Sequence, residues 1–220
     1  FNAEAHSHDY NKNLFRIEKN LTLNTPANNS CDNCYEVFAL PFASPYAGDR
    51  TIVEHPADAI ASPFGWHDLN GQEGAESTLT SGNNANAYEG NDNFGHQPDG
   101  GISLNFTGYP FDQEFSEDFQ YEDASITNIF YWANILHDIT YRYGFTEAAG
   151  NFQHNNYQNG GAPRDALILE CQSTFRPCNA SFSTQGDGIP PVLKVNLCGD
   201  KDGAFDATVI AHEWGHGLSD

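Results

Sequence analysis

Apolar residues recur at helical spacing over one stretch of the chain. Ile126, Ile129, Phe130, Ala133, Leu136 and the pair Thr140/Tyr141 fall on one face of a helix predicted from Asp123 to Tyr143. Asp123 is placed to cap its first turn, and Gly144 stands just past its last. Upstream, from Tyr35 to about Gly108, the apolar pieces are short, as in Tyr35–Leu40 and Thr51–Val53. Pro, Gly and Asn break them up, which is the pattern of short strands joined by long loops. Downstream, a loop rich in Asn and Gly leads to two further strand-like runs, Ala166–Leu169 and Val192–Leu197. A second helix is predicted at about residues 206–219, with Asp206 as N-cap, Val209, Ile210 and Ala211 leading in, and Gly217 at its C-terminal end. Strands followed by one such helix give an α+β, β-rich lobe over residues 35–220. Residues 1–34 lack a sustained period and read as a tail, linker or propeptide remnant.

Composition narrows the partners. Nine Lys and Arg against thirty Asp and Glu leave a net charge of -21 on 220 residues, which excludes nucleic acid and makes an anionic membrane surface a poor partner. Only 18% of residues are charged, so the acidity comes from scarce bases rather than acidic runs. No apolar stretch is long enough to span a bilayer. The start Phe1-Asn2-Ala3-Glu4 is no signal peptide and the chain has no methionine, which reads as a processed or partial piece of a longer precursor. Sequons at Asn20, Asn28, Asn105 and Asn179 permit glycosylation in a eukaryotic secretory route.

Five cysteines are an odd number. Cys31-Asp32-Asn33-Cys34 suits a local disulfide better than half a zinc knuckle or a redox pair, because there is no second Cys-x-x-Cys and no strand–helix context. Cys171 and Cys178 bracket a short step that a second disulfide could close. Cys198 is then left for an outside partner or as a buried thiol. Such pairing points to an oxidising, extracellular setting.

The chemistry is concentrated in His212-Glu213-Trp214-Gly215-His216. A helix brings positions i and i+4 onto one face, so His212 and His216 can reach one Zn2+ while Glu213 holds and deprotonates a water. The alternative, a pair of core histidines, leaves unexplained why a short apolar helix should carry two histidines and a glutamate. His6 and His8 lack further ligands nearby and read as part of a solvated tail. His137 and Asp138 read as a hydrogen-bonded structural pair, with a second metal or acid/base site as the alternative.

From about Cys34 to Asp220 the chain resembles the fungalysin family of secreted zinc metallopeptidases, in particular its bacterial-type members. The resemblance rests on Gly48-Asp49-Arg50-Thr51-Ile52-Val53, Pro56-Ala57-Asp58, Ala61-Ser62-Pro63-Phe64-Gly65-Trp66-His67-Asp68 and Gly82-Asn83-Asn84. It continues through Asp123-Ala124-Ser125-Ile126-Thr127-Asn128-Ile129-Phe130-Tyr131-Trp132, His137-Asp138, Tyr143-Gly144-Phe145-Thr146-Glu147 and Gly150-Asn151-Phe152-Gln153. It implies a thermolysin-like plan: a β-rich lobe carrying the zinc helix, followed by a helical lobe across a substrate cleft. It implies a zymogen-derived endopeptidase acting on proteins or peptides, with His212 and His216 as zinc ligands and Glu213 as general base. The third ligand, a glutamate, would lie beyond Asp220, in the remainder of the same precursor or an associated C-terminal lobe.

Asn179-Ala180-Ser181-Phe182 resembles the family's Asn-Ala-Asn-Phe edge strand, which implies that Asn179 and Ala180 bind substrate. The sequence departs from the family at Cys171 and Cys178, in a short connection before the zinc helix, and at Trp214-Gly215. The competing readings are a non-catalytic secreted zinc-binding or adhesion module and an inactive processing fragment.

Overall fold

The computed structural model describes residues 31–91, 94–111, 118–174 and 176–219. His6, His8, Asn20, Asn28 and almost all of the predicted tail lie outside the described residues. The described residues build an α+β unit from eight strands and two long helices: β1 (Cys34–Val37), β2 (Thr51–Glu54), β3 (Ala85–Glu89), β4 (Asn105–Phe106), α1 (Glu122–Arg142), β5 (Leu167–Ser173), β6 (Ala180–Ser183), β7 (Val192–Cys198), β8 (Lys201–Asp202) and α2 (Ala207–Ser219). A small sheet has the order β2-β1-β4, with β1 antiparallel to β2 and parallel to β4. A larger sheet has the order β3-β5-β7-β6, in which β3, β5 and β7 are parallel and β6 is antiparallel to β7. β8 pairs with β7 alone.

The predicted helix around residue 130 forms and packs against β1, β3, β5 and α2, burying Ile126, Ile129, Phe130 and Ala133 among Tyr35, Trp66, Leu167 and Leu169. Asp123 does not cap it. The helix starts one residue earlier, at Glu122, and the Asp123 carboxylate faces His96 Nε2 at 2.7 Å from within the first turn. A carboxylate in that turn still meets the positive end of the helix dipole. At the other end Gly144 does take the left-handed conformation after the last turn, φ +109°.

Strand limits move where helix side chains capture the backbone. The run predicted as Tyr35–Leu40 stops pairing at Val37. Beyond it, the Phe38 N–H donates to Asn128 Oδ1 (2.9 Å) and the Phe38 carbonyl accepts from Trp132 Nε1 (2.8 Å). α1 thus satisfies the groups that a longer strand would have offered to a neighbour. β5 runs further than predicted, to Ser173, through a register shift between Glu170 and Ser173. No helix among the described residues is long and apolar enough to cross a membrane.

The second predicted disulfide is wrong. Cys31 and Cys34 are joined, but Cys178 is joined to Cys198, with Cα atoms 4.1 Å apart, and Cys171 is uncrosslinked and buried. Topology decides this. Cys171 lies in the interior strand β5 with its thiol in the hydrophobic core, whereas the segment before β6 runs beside the end of β7, where the Cys178 N–H donates to the Leu197 carbonyl (2.8 Å).

Candidate metal centre

α2 owes its position to the turn before it. Asp202 Oδ2 accepts from Ser125 Oγ of α1 (2.6 Å), and its Oδ1 accepts from the Ala204 N–H (2.9 Å). Asn128 Nδ2, also on α1, donates to the Ala204 carbonyl (2.7 Å). Two residues on, Asp206 Oδ1 accepts from the N–H (2.8 Å) and hydroxyl (2.6 Å) of Thr208, the N-cap expected from sequence. Ile210 and Trp214 then face the core, and Trp214 packs edge-on against Phe152 with centroids 5.7 Å apart.

The opposite side of α2 turns His212 outward, with His216 half-buried one turn on. Their Nε2 atoms lie 3.3 Å apart and the rings are nearly perpendicular, at 82°. Two nitrogens that each sit about 2.0–2.1 Å from one tetrahedral cation are separated by about 3.3 Å, so the pair is spaced as two zinc ligands need to be. Glu213 is nearly fully buried between them along the helix, and burial alone pushes its pKa up to about 7. Among the described residues no other His, Cys, Asp or Glu side chain joins the two histidines within reach of one cation; the group that meets such spacing is Cys31, Cys34 and Glu54, whose sulfurs are already in a disulfide.

β6 forms the edge of the larger sheet beside α2, with β7 as its neighbour on one side. Asn179 immediately precedes it, is buried, and accepts through its carbonyl from the Asn196 N–H (3.0 Å). Ala180 pairs with Val195 and is buried. α2 carries His212, Glu213 and His216, while Asn179 and Ala180 stand at the head of β6, the strand that meets α2 through Phe182 and Gly217.

Gly217 does not end α2, which continues to Ser219. A Cβ at Gly217 would stand 2.6 Å from the ring of Phe182 and 3.1 Å from that of Phe152, so the glycine is there to let β6 approach the helix. Sequence reading missed this contact, since the local rule that glycine closes a helix gave a sufficient account of the residue.

His137 and Asp138 sit in a buried polar cluster. Asp138 accepts from Ser62 Oγ (2.6 Å), Trp66 Nε1 (2.9 Å) and the Asp58 N–H (2.9 Å), and His137 Nδ1 lies 3.0 Å from its Oδ1. Four partners on two segments make this carboxylate a tie between α1 and the loop over residues 58–66, in line with the structural reading.

Comparison with known proteins follows the same span. A family model described as fungalysin metallopeptidase (M36) matches residues 34–220. The chain is 39% identical to extracellular metalloproteinase 5 of Trichophyton rubrum over 195 residues, which is 84% of this chain and 30% of that protein. It is 37% identical to extracellular metalloproteinase mep of Aspergillus fumigatus over 194 residues, with the same coverage of each. Over 204 residues it is 38% identical to extracellular metalloproteinase mep of Aspergillus niger, covering 86% of this chain and 30% of the relative. The chain thus spans about 30% of the length of these relatives.

Proposed function

The chain belongs to the fungalysin metallopeptidase family, and on that footing we propose that it is the zinc-bearing part of an extracellular zinc-dependent endopeptidase. The observation that carries this reading is the 3.3 Å separation of His212 Nε2 and His216 Nε2 on one helical face, with a buried Glu213 between them. His212 and His216 are two ligands of the zinc. The third, a glutamate, comes from beyond Asp220, in the remainder of the precursor or an associated C-terminal lobe. Residues 35–220 are then one lobe of a catalytic unit, preceded by a tail or propeptide remnant at 1–34.

When bound, zinc supplies Lewis acidity, which polarises the scissile carbonyl and brings the pKa of water towards neutrality. Glu213 takes the proton of the attacking water and returns it to the leaving amine. The edge strand β6, led by Asn179 and Ala180, binds the substrate main chain as an added strand, which asks little of the substrate's sequence and fits general protein or peptide substrates. A non-catalytic zinc-binding module would have no use for a buried carboxylate between its ligands.

The test is metal removal from the full-length protein. Peptide cleavage should disappear with a zinc chelator and return on adding zinc. Cleavage that persists after the zinc has been removed would rule the reading out.

A further inference from the structure

We propose that the Cys178–Cys198 disulfide, together with Asn196, is a clamp that sets the position of the edge strand β6 and so the strength with which peptide substrate binds. The inference rests on the proposed role of β6 as the substrate strand and adds the device that holds it.

A four-residue edge strand has one neighbour and would fray at its free end. A strand that is to receive a peptide has to be ordered beforehand, because ordering it at the moment of binding is subtracted from affinity. The head of β6 is tied accordingly. Cys178 is bonded to Cys198 at the end of β7. Its N–H donates to the Leu197 carbonyl (2.8 Å), and one residue on the Asn179 carbonyl accepts from the Asn196 N–H (3.0 Å). The Asn196 side chain reaches back and donates through Nδ2 to the Arg176 carbonyl (2.8 Å), which closes the turn ahead of the strand.

Cys178 adopts φ +60°, a left-handed conformation uncommon for a residue with a Cβ, at the turn that leads into the strand. The other end of β6 rests on the zinc helix through Phe182 and Gly217. The strand therefore spans from a covalent tie at Cys178 to the metal-bearing helix, with Asn179 and Ala180 directly after the tie.

Loosening the head of the strand would weaken main-chain pairing with substrate while leaving His212, Glu213 and His216 in place. That loss is binding common to ground and transition states, which appears in KM rather than kcat. The full-length zinc-loaded enzyme carrying Cys178→Ala and Cys198→Ala should show KM for a peptide substrate raised about tenfold, with kcat within about twofold of the parent. The control pair Cys31→Ala and Cys34→Ala should leave both constants unchanged. Asn196→Asp, which keeps the crosslink and removes the donor to Arg176, should raise KM about threefold and serves if the cysteine pair does not fold. Unchanged KM, or a fall in kcat exceeding the rise in KM, would overturn the clamp.

A second readout is independent of catalysis. Amide hydrogen exchange over residues 176–183 should quicken in the cysteine-pair or Asn196→Asp variant, while exchange over α2 stays as in the parent; equal exchange over 176–183 would overturn the clamp even in a protein without peptidase activity. Absence of chelator-sensitive cleavage in the parent, by contrast, would count against the peptidase reading and leave the exchange result to decide the clamp.

Discussion

The ring of Phe182 occupies the space that a side chain on Gly217 would need, 2.6 Å from the Cβ position. Gly217 lies in the last turn of α2, directly after His216. Without the clash, Gly217→Ala should stabilise a helix by about 1 kcal/mol through propensity. With it, the contact is against a ring on an edge strand and overpacking costs about 1–3 kcal/mol, so the net effect is destabilising. Gly215, two residues earlier, has nothing within 4 Å of its Cβ position. Gly215→Ala should therefore stabilise by about 0.5–1 kcal/mol, and urea denaturation of the two variants should move in opposite directions.

The pairing of cysteines gives a second expectation. Peptide mapping without reduction should recover Cys31 joined to Cys34 and Cys178 joined to Cys198. Cys171 should resist alkylation until the protein is unfolded, since it is buried and desolvation pushes its thiol pKa up, which disfavours the reactive thiolate. Recovery of a Cys171–Cys178 peptide would contradict the topology around β5 and β7.

Acid sensitivity should come in part from His67. It is buried, with Nε2 2.7 Å from the Tyr35 hydroxyl and Nδ1 3.1 Å from the Ser81 carbonyl. Burial lowers its pKa from 6.5 to about 4. A histidine with a depressed folded pKa binds fewer protons folded than unfolded between these values. The stability it allows is whole above pH 6.5 and is lost as pH falls towards 4, by up to about 3 kcal/mol. Urea midpoints taken from pH 7 to pH 4 should fall in the parent, and the slope should be shallower in His67→Gln, although that variant is less stable at pH 7.

Much of the architecture could be read from local pattern. The 3.6-residue period fixed α1, the Asp206 cap and the apolar lead-in located α2, and the i, i+4 histidines marked the candidate metal centre because helix geometry alone sets their spacing. What could not be read depends on segments far apart in sequence. The partner of Cys178 follows from β6 lying antiparallel to β7, the contact of Asp123 with His96 joins segments 27 residues apart, and the purpose of Gly217 follows from Phe182. The edge position of β6 agrees with the family resemblance of Asn179 to Phe182, which no periodicity over four residues would have revealed.

Glu213 as the general base is tested most directly by the turnover of the zinc-loaded full-length Glu213→Gln protein on a peptide substrate. The amide keeps the size of the side chain but cannot take the proton from the attacking water. Turnover should fall by about two to four orders of magnitude with zinc still bound. Undiminished turnover by that protein would rule out Glu213 as the general base.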